Sequence, residues 1–143
     1  MLEILLCCGA GMSSSALTAQ CNKSIIANGL GDVAHVEFSP FDNSPRALQE
    51  KKRDVIICCP HLAREAKEFI ERKGIDIPVY ILPPQMYGVI NGPEIVQDCK
   101  DVIERFYNDP ERKNPVQFPG ETNVFQIKRK RAYYNEYPDR REK

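Results

Sequence analysis

Four short apolar runs lie within the first 82 residues, and stretches of helical or turn-like spacing separate them. The first, LEILLCC (2–8), is continuous and closed by glycines, as in a strand buried on both faces. Residues 13–27 follow with serines at the start and Ala16, Leu17, Cys21 and Ile25 on one stripe, which predicts a helix ended by Asn28-Gly29. DVAHVEF (32–38) alternates and predicts a second strand. A loop with two prolines, SPFDNSP, leads into a short helix at 46–52. DVIICC (54–59) is a third strand, apolar on both faces. HLAREAKEFIERKG (61–74) is a helix with Leu62, Ala66, Phe69 and Ile70 inward and Gly74 as its stop. IPVYIL (77–82) is a fourth strand. PPQMYGVINGP (83–93) reads as a turn-rich loop. Residues 94–107 are a last helix with Ile95, Val96, Cys99, Val102, Ile103 and Phe106 on its apolar face.

Strands alternating with helices imply βαβ units, right-handed crossovers and a parallel sheet. The expected fold is α/β: a small, open four-stranded parallel sheet with helices on both faces. In such sheets ligands bind beyond the C-terminal strand ends, where Cys8, Pro60-His61 and Pro83-Pro84 all fall. The expected division is a domain over residues 1–107 and a tail over 108–143. The tail is rich in proline and charge and has no helical stripe, so it reads as extended or disordered. It carries the basic run KRKR (128–131) near Tyr133, Tyr134 and Tyr137. Basic residues beside aromatics can grip RNA, but one such run is weak evidence; a solvated arm is the expectation and a partner-docking arm the alternative.

Composition narrows the function classes. The 143 residues include 42% hydrophobic and 28% charged positions, with zero net formal charge, so nothing overall points to nucleic acid or a membrane surface. No apolar stretch approaches the roughly 18 residues that span a bilayer. The start lacks a basic leader and carries Glu3, so a cytoplasmic protein without membrane insertion is expected. The six cysteines fall as Cys7-Cys8, Cys58-Cys59, Cys21 and Cys99, and without an export signal they read as reduced thiols in or near the core.

The chemistry concentrates at LLCCGAGMSSSALT (5–18). A glycine-rich loop between a buried strand and a helix turns backbone N–H groups outward, and the helix start adds partial positive charge. A thiol at such an anion cradle has a lowered pKa and is more nucleophilic. Ser13, Ser14 and Ser15 can donate to phosphate oxygens or cap the helix. No Lys or Arg lies between residues 1 and 22, so a bound phosphate depends on dipoles alone.

Several readings compete for this corner. A dinucleotide-binding turn would use G-x-G-x-x-S with Glu37 ending strand two as the ribose acid, but the third glycine is missing. A cysteine phosphatase of the low-molecular-weight tyrosine phosphatase type needs C-x5-R-S, and Ser14 stands where its arginine belongs. That arginine clamps the transferring phosphoryl group, so efficient hydrolysis is not expected without it. A phosphocarrier must hold a phosphoryl group on sulfur without losing it to water, which suits a backbone cradle with no arginine. An ordinary strand-to-helix turn with a buried cysteine is the bland alternative. A metal or redox site from Cys7, Cys8, Cys58, Cys59 and His61 is disfavoured, because adjacent strand residues point to opposite faces and zinc spacing is absent.

The run C-G-A-G-M-S-S-S resembles the C-x-A-G-M-S-[ST]-S signature of the IIB components of the lactose/cellobiose (chitobiose)-type sugar phosphotransferase system. DVIICCPH resembles that family's strand-three segment, and MYGVINGPEIV resembles its Tyr-Gly-x-x-x-Gly segment before the last helix. The resemblance covers about residues 1–107. It implies a flavodoxin-like or low-molecular-weight-phosphatase-like topology and a phosphotransferase component with no cofactor and no metal. Cys8 would accept a phosphoryl group from phosphohistidine on a IIA partner and pass it to a sugar, expected to be a disaccharide, held by a membrane IIC permease. Gly9, Ala10, Gly11, Met12, Ser13, Ser14 and Ser15 would form the cradle. Pro60 and His61, where the family usually has Pro-Gln, would stand behind it, and His61 reads equally well as a capping or surface residue. Cys7 has no family counterpart and is expected in the core. The protein is expected to be a monomer, with no nucleic-acid partner.

Overall fold

A computed structural model describes the backbone of residues 1–8, 12–40 and 44–140, and the side chains of 1–7, 16–40 and 46–140. Four strands, β1 (Leu2–Cys8), β2 (Ala34–Pro40), β3 (Val55–Cys58) and β4 (Val79–Ile81), form one parallel sheet in the order β2-β1-β3-β4. They are joined by α1 (Met12–Ala27), α2 (Ser44–Glu50) and α3 (Ala63–Lys73), with a 3-10 turn at Pro60–Leu62 before α3. Beyond β4 come α4 (Pro84–Gly88) and α5 (Gly92–Asn108). The expected α/β architecture is therefore present. β1 lies at the centre and the strand order reverses between β1 and β3.

The period-2 alternation of strand side chains sorts the core onto two faces. Ile4, Leu6, Val55, Ile57 and Tyr80 face α1 and α5, where Cys21, Ile25, Ile95, Cys99, Val102 and Phe106 meet them. Leu5, Cys7, Ile56, Cys58 and Val79 face α2 and α3, where Ala66 and Phe69 meet them. Cys7 is fully buried, as expected for a packing residue. Gly74 ends α3 in the left-handed region (φ 60°), with its N–H donating to the Ile70 carbonyl, which a side chain would resist. At Gly92 the reason for glycine is space: an added Cβ would lie 2.7 Å from the Ile25 backbone nitrogen. There α5 begins against α1, and the Gly92 N–H donates to Ser24 Oγ at 2.9 Å.

Each edge strand has one residue whose outward backbone groups are satisfied from elsewhere in the chain. On β2 the Asn22 side chain receives the Val36 N–H (2.9 Å) and donates to the Val36 carbonyl (2.7 Å). On β4 Asn114 Oδ1 receives the Val79 N–H (2.9 Å), and the Val116 N–H donates to the Val79 carbonyl (2.8 Å). Open edges invite unwanted strand pairing; here the second edge is covered by the chain after α5.

Two expectations are corrected here. Residues 83–93 hold a helical turn, α4, and the first residues of α5, because Pro84 and Pro93 occupy first-turn positions where their missing N–H costs nothing. The segment after α5 has little regular structure, only α6 (Tyr133–Glu136) and 3-10 turns at Val124–Gln126 and Pro138–Arg140, yet it is not a loose tail. Val116, Phe118, Ala132, Tyr133 and Tyr134 are buried, and four of these five join the α1/α5 core. Phe118 and Tyr133 stack at 4.6 Å and 7°.

The segment is anchored on a buried polar cluster. Asp98 of α5 accepts from Tyr80 OH, from Arg129 Nη1 and from the Tyr133 N–H, each at 2.7 Å. Arg129 also grips Glu121 through Nε (2.6 Å) and Nη2 (2.9 Å), the forked geometry that suits guanidinium to carboxylate. Burial pushes the Asp98 carboxyl up from its ordinary value, against the downward pull of Arg129 and the Tyr133 and Tyr80 donors. The KRKR run is thus no uniform basic strip, since Arg129 is turned into the interior.

Candidate functional site

The site is built where β1 and β3 end. Cys7 is the Cα partner of Cys58, and Cys8 closes β1 opposite Pro40 of β2. α1 starts at Met12, so only three residues separate the strand from the helix. A helix of 16 residues has four first-turn N–H groups without intrahelical partners and partial positive charge at that end. The end of β1 and the start of α1 therefore stand on either side of residues 9–11, at the point where strand order reverses and ligands bind in open α/β sheets. Gly9, Ala10 and Gly11 lie outside the described residues, as do the side chains of Cys8, Met12, Ser13, Ser14 and Ser15.

The neighbouring strand ends supply a wall. After β3, Cys59 is extended and buried and accepts the Leu62 N–H at 3.1 Å; Pro60 is buried and His61 is exposed. After β4 comes α4, whose Tyr87 ring meets His61 edge-on at 5.8 Å. His61 is thus a partly anchored surface histidine at the rim of the strand ends. Pro60 is the buried first residue of the same 3-10 turn.

Cys21 and Cys99 separate from this corner by environment. Both are unbridged and buried between α1 and α5. Desolvation pushes Cys21 up to about 11 and Cys99 well above its ordinary value. A thiol that stays protonated at neutral pH is a poor nucleophile. Among the described residues no three His, Cys, Asp or Glu side chains gather as a metal-binding group.

Glu37 does not stand at this corner. It lies in the middle of β2 opposite Leu5, and the strand continues to Pro40. Its carboxylate pairs with Arg53 (3.0 Å) and Lys51 (3.2 Å), and His35 Nε2 lies 3.6 Å away. The Arg53 hydrogen bond, helped by Lys51, holds Glu37 below its ordinary value of 4.5. A lowered folded-state pKa means that the stabilisation is present above pH 4.5 and is lost as pH falls through the depressed value. Glu37→Gln should therefore cost about 1 kcal/mol at pH 7, and its urea midpoint should approach that of the wild type as pH falls below the ordinary carboxylate range. A gap that does not narrow on acidification would contradict the ion pair.

Sequence reasoning missed the buried cluster of Tyr80, Asp98, Glu121 and Arg129. Its available signal was Asp98 within the apolar stripe of the last helix, an acid whose cation had to come from elsewhere in the chain.

Fold and corner together define an open parallel α/β domain with a cysteine at the end of its central strand, just before a helix N-terminus. Residues 3–98 match the model of the family described as "PTS system, Lactose/Cellobiose specific IIB subunit", and the chain belongs to that family of phosphotransferase-system components. The galactose-specific EIIB component of Lactococcus lactis subsp. cremoris (strain MG1363) is 26% identical over 102 residues, which cover 70% of this chain and 94% of that protein. The cellobiose-specific EIIB component of L. lactis subsp. lactis (strain IL1403) is similar to the same extent. The solution structure of a cellobiose-specific IIB component from Borrelia burgdorferi superposes with a TM-score of 0.54 at 25% identity, covering 73% of this chain and 93% of that one. The family match ends within α5, so the packed C-terminal segment lies beyond it. No helix among the described residues is long and apolar enough to cross a membrane.

Proposed function

We propose that this protein is the phosphocysteine carrier of a sugar-uptake phosphotransferase system, with Cys8 as its nucleophile. The Cys8 thiolate attacks the phosphorus of a phosphohistidine on a IIA partner. An S–P bond forms as the N–P bond breaks, and the imidazole leaves with the bonding pair. A hydroxyl of a sugar held by the membrane IIC partner then attacks the same phosphorus. An O–P bond forms, the S–P bond breaks, the thiolate is regenerated and the hydroxyl proton passes to a base. Between the two steps the backbone of Gly9, Ala10 and Gly11 and the first turn of α1, with Met12, Ser13, Ser14 and Ser15, cradle the phosphoryl oxygens. Pro60 and His61 form the adjacent wall.

The observation that carries this reading is the family match over residues 3–98, which spans the Cys8 corner. Ser14 in place of a phosphatase arginine supports transfer over hydrolysis. The protein works in the cytoplasm and meets the inner face of the membrane only through IIC, as a monomer. Its acceptor is proposed to be a disaccharide, in line with the cellobiose specificity named for two of the similar proteins. Incubation with a phosphorylated IIA component of the lactose/cellobiose class should raise the intact mass by one phosphoryl group. Steady release of inorganic phosphate from an aryl phosphate would instead make the protein a phosphatase.

A further inference from the structure

We infer that the C-terminal segment beyond the family match is a built-in clamp that sets the wall of the phosphocarrier corner, with Arg129 as its positioning residue. The inference rests on the carrier reading for its functional consequence. The juxtaposition itself stands on geometry.

Arg129 is almost fully buried and reaches three elements of the sheet domain. Nη2 donates to Tyr80 OH of β4 at 2.8 Å, Nη1 to Asp98 of α5 at 2.7 Å, and Nη1 also meets the Met86 sulfur of α4 at 3.3 Å. Its hold on its own segment is equally firm, through Glu121 and the Arg131 carbonyl (2.8 Å). The Phe118 and Tyr133 rings flank the guanidinium, each with its centroid 5.4 Å away.

α4 is the element that this guanidinium has most reason to hold. It is five residues long, too short for its own hydrogen bonds to fix it. Met86, 1% exposed, is its inward anchor, and the next residue, Tyr87, touches His61. His61 sits in the 3-10 turn that leaves β3, and the last residue of β3 pairs with the neighbour of Cys8. A contact path thus runs from Arg129 through Met86 and Tyr87 to His61 at the rim of the strand ends. A buried ion pair is a poor source of stability, because desolvating both charges offsets their attraction; its best-attested use is to fix one arrangement over others. Five apolar side chains of the segment are buried beside Arg129, so the guanidinium is not its only anchor and can act on placement.

The chain has two histidines, so it carries its own control. His35 lies on β2, at the opposite edge of the sheet from β4. In the full-length protein, Arg129→Met should move the His61 ring signals in a 1H–13C spectrum and leave those of His35 in place. The rate of Cys8 phosphorylation at saturating phospho-IIA should fall about tenfold, and Arg129→Lys should restore part of it. Tyr87→Leu cuts the path outside the polar cluster of Tyr80, Asp98 and Arg129 and should shift His61 and slow transfer. His61 signals unmoved in Tyr87→Leu and Arg129→Met, or transfer within about twofold of wild type in both variants, would overturn the clamp. A wild-type chain that accepts no phosphoryl group would remove the carrier reading, while the His61 spectrum would still judge the clamp.

Discussion

Replacing Cys8 with serine should abolish phosphoryl transfer, lowering the rate by at least about a thousandfold, because the proposed carrier reaction then loses its sulfur. A hydroxyl at the same position is far less ionised than a thiolate at a helix N-terminus and does not form the labile S–P bond. Cys7→Ser should keep accepting the label. Cys7 is the adjacent residue but is packed with Leu5, Ile56 and Phe69 on the opposite side of the sheet from α1. Its serine variant should lose stability, since a hydroxyl enters an apolar cluster, while transfer per folded molecule persists. The native thiol pattern gives a parallel check. Cys21 and Cys99 should resist alkylation at pH 8 until the protein is unfolded, as burial keeps both protonated. Loss of transfer in Cys7→Ser with retention in Cys8→Ser would move the nucleophile by one residue and invert the assignment of packing and chemistry.

The second large effect is expected at Asp98. Asp98→Ala removes the acceptor of three buried donors at once and leaves the Arg129 guanidinium without its α5 partner. Breaking a buried pair from one side costs about 3–5 kcal/mol, a large part of a typical stability of about 5–15 kcal/mol. The thermal midpoint should fall by about 10 °C. The loss should be centred on the C-terminal segment, and limited trypsin digestion reads it out. The run Lys128-Arg129-Lys130-Arg131 offers consecutive cleavage sites, yet Arg129 is locked inside and the adjoining Ala132 and Tyr133 are buried. Wild type should be cut slowly there and Asp98→Ala quickly. Equal and rapid cleavage of both proteins would show that the segment is not packed as described.

These two effects also mark what could and could not be read from residues alone. The four strands and α1, α3 and α5 follow from patterns within single segments: continuous apolar runs for β1 and β3, alternation in β2, and stripes ended by Asn28-Gly29 and Gly74. Those patterns are local because a strand or helix in a two-faced sheet must present its own apolar side to the core. The strand end at Cys8 and the helix start at Met12 were legible for the same reason, as both belong to contiguous local patterns. α4 was not, because two prolines and two glycines within 83–92 carry the composition of a loop, and only Pro84 at a first-turn position hints otherwise. The C-terminal segment was not legible because its burial follows no period. Val116 bonds to Val79 of β4, Phe118 and Tyr133 stack on one another against the same core, and Arg129 is buried because Asp98 and Tyr80 wait for it more than 30 residues upstream. A basic, proline-rich composition predicts solvation when counted residue by residue. It fails when distant acids and rings neutralise and cover the one cation that matters.

The central claim is that the phosphoryl group travels on the sulfur of Cys8, and the most direct measurement is to locate it there. The protein is phosphorylated by a phospho-IIA component, examined by 31P NMR without denaturation, then digested at a pH that preserves phosphothiolates and mapped by tandem mass spectrometry. A single phosphorus signal in the phosphothiolate range is expected, with the added mass on the peptide containing residues 1–23 and assigned to Cys8. Phosphate found on His61, on a serine of the 13–15 run or on Cys7, with Cys8 unmodified, would contradict it.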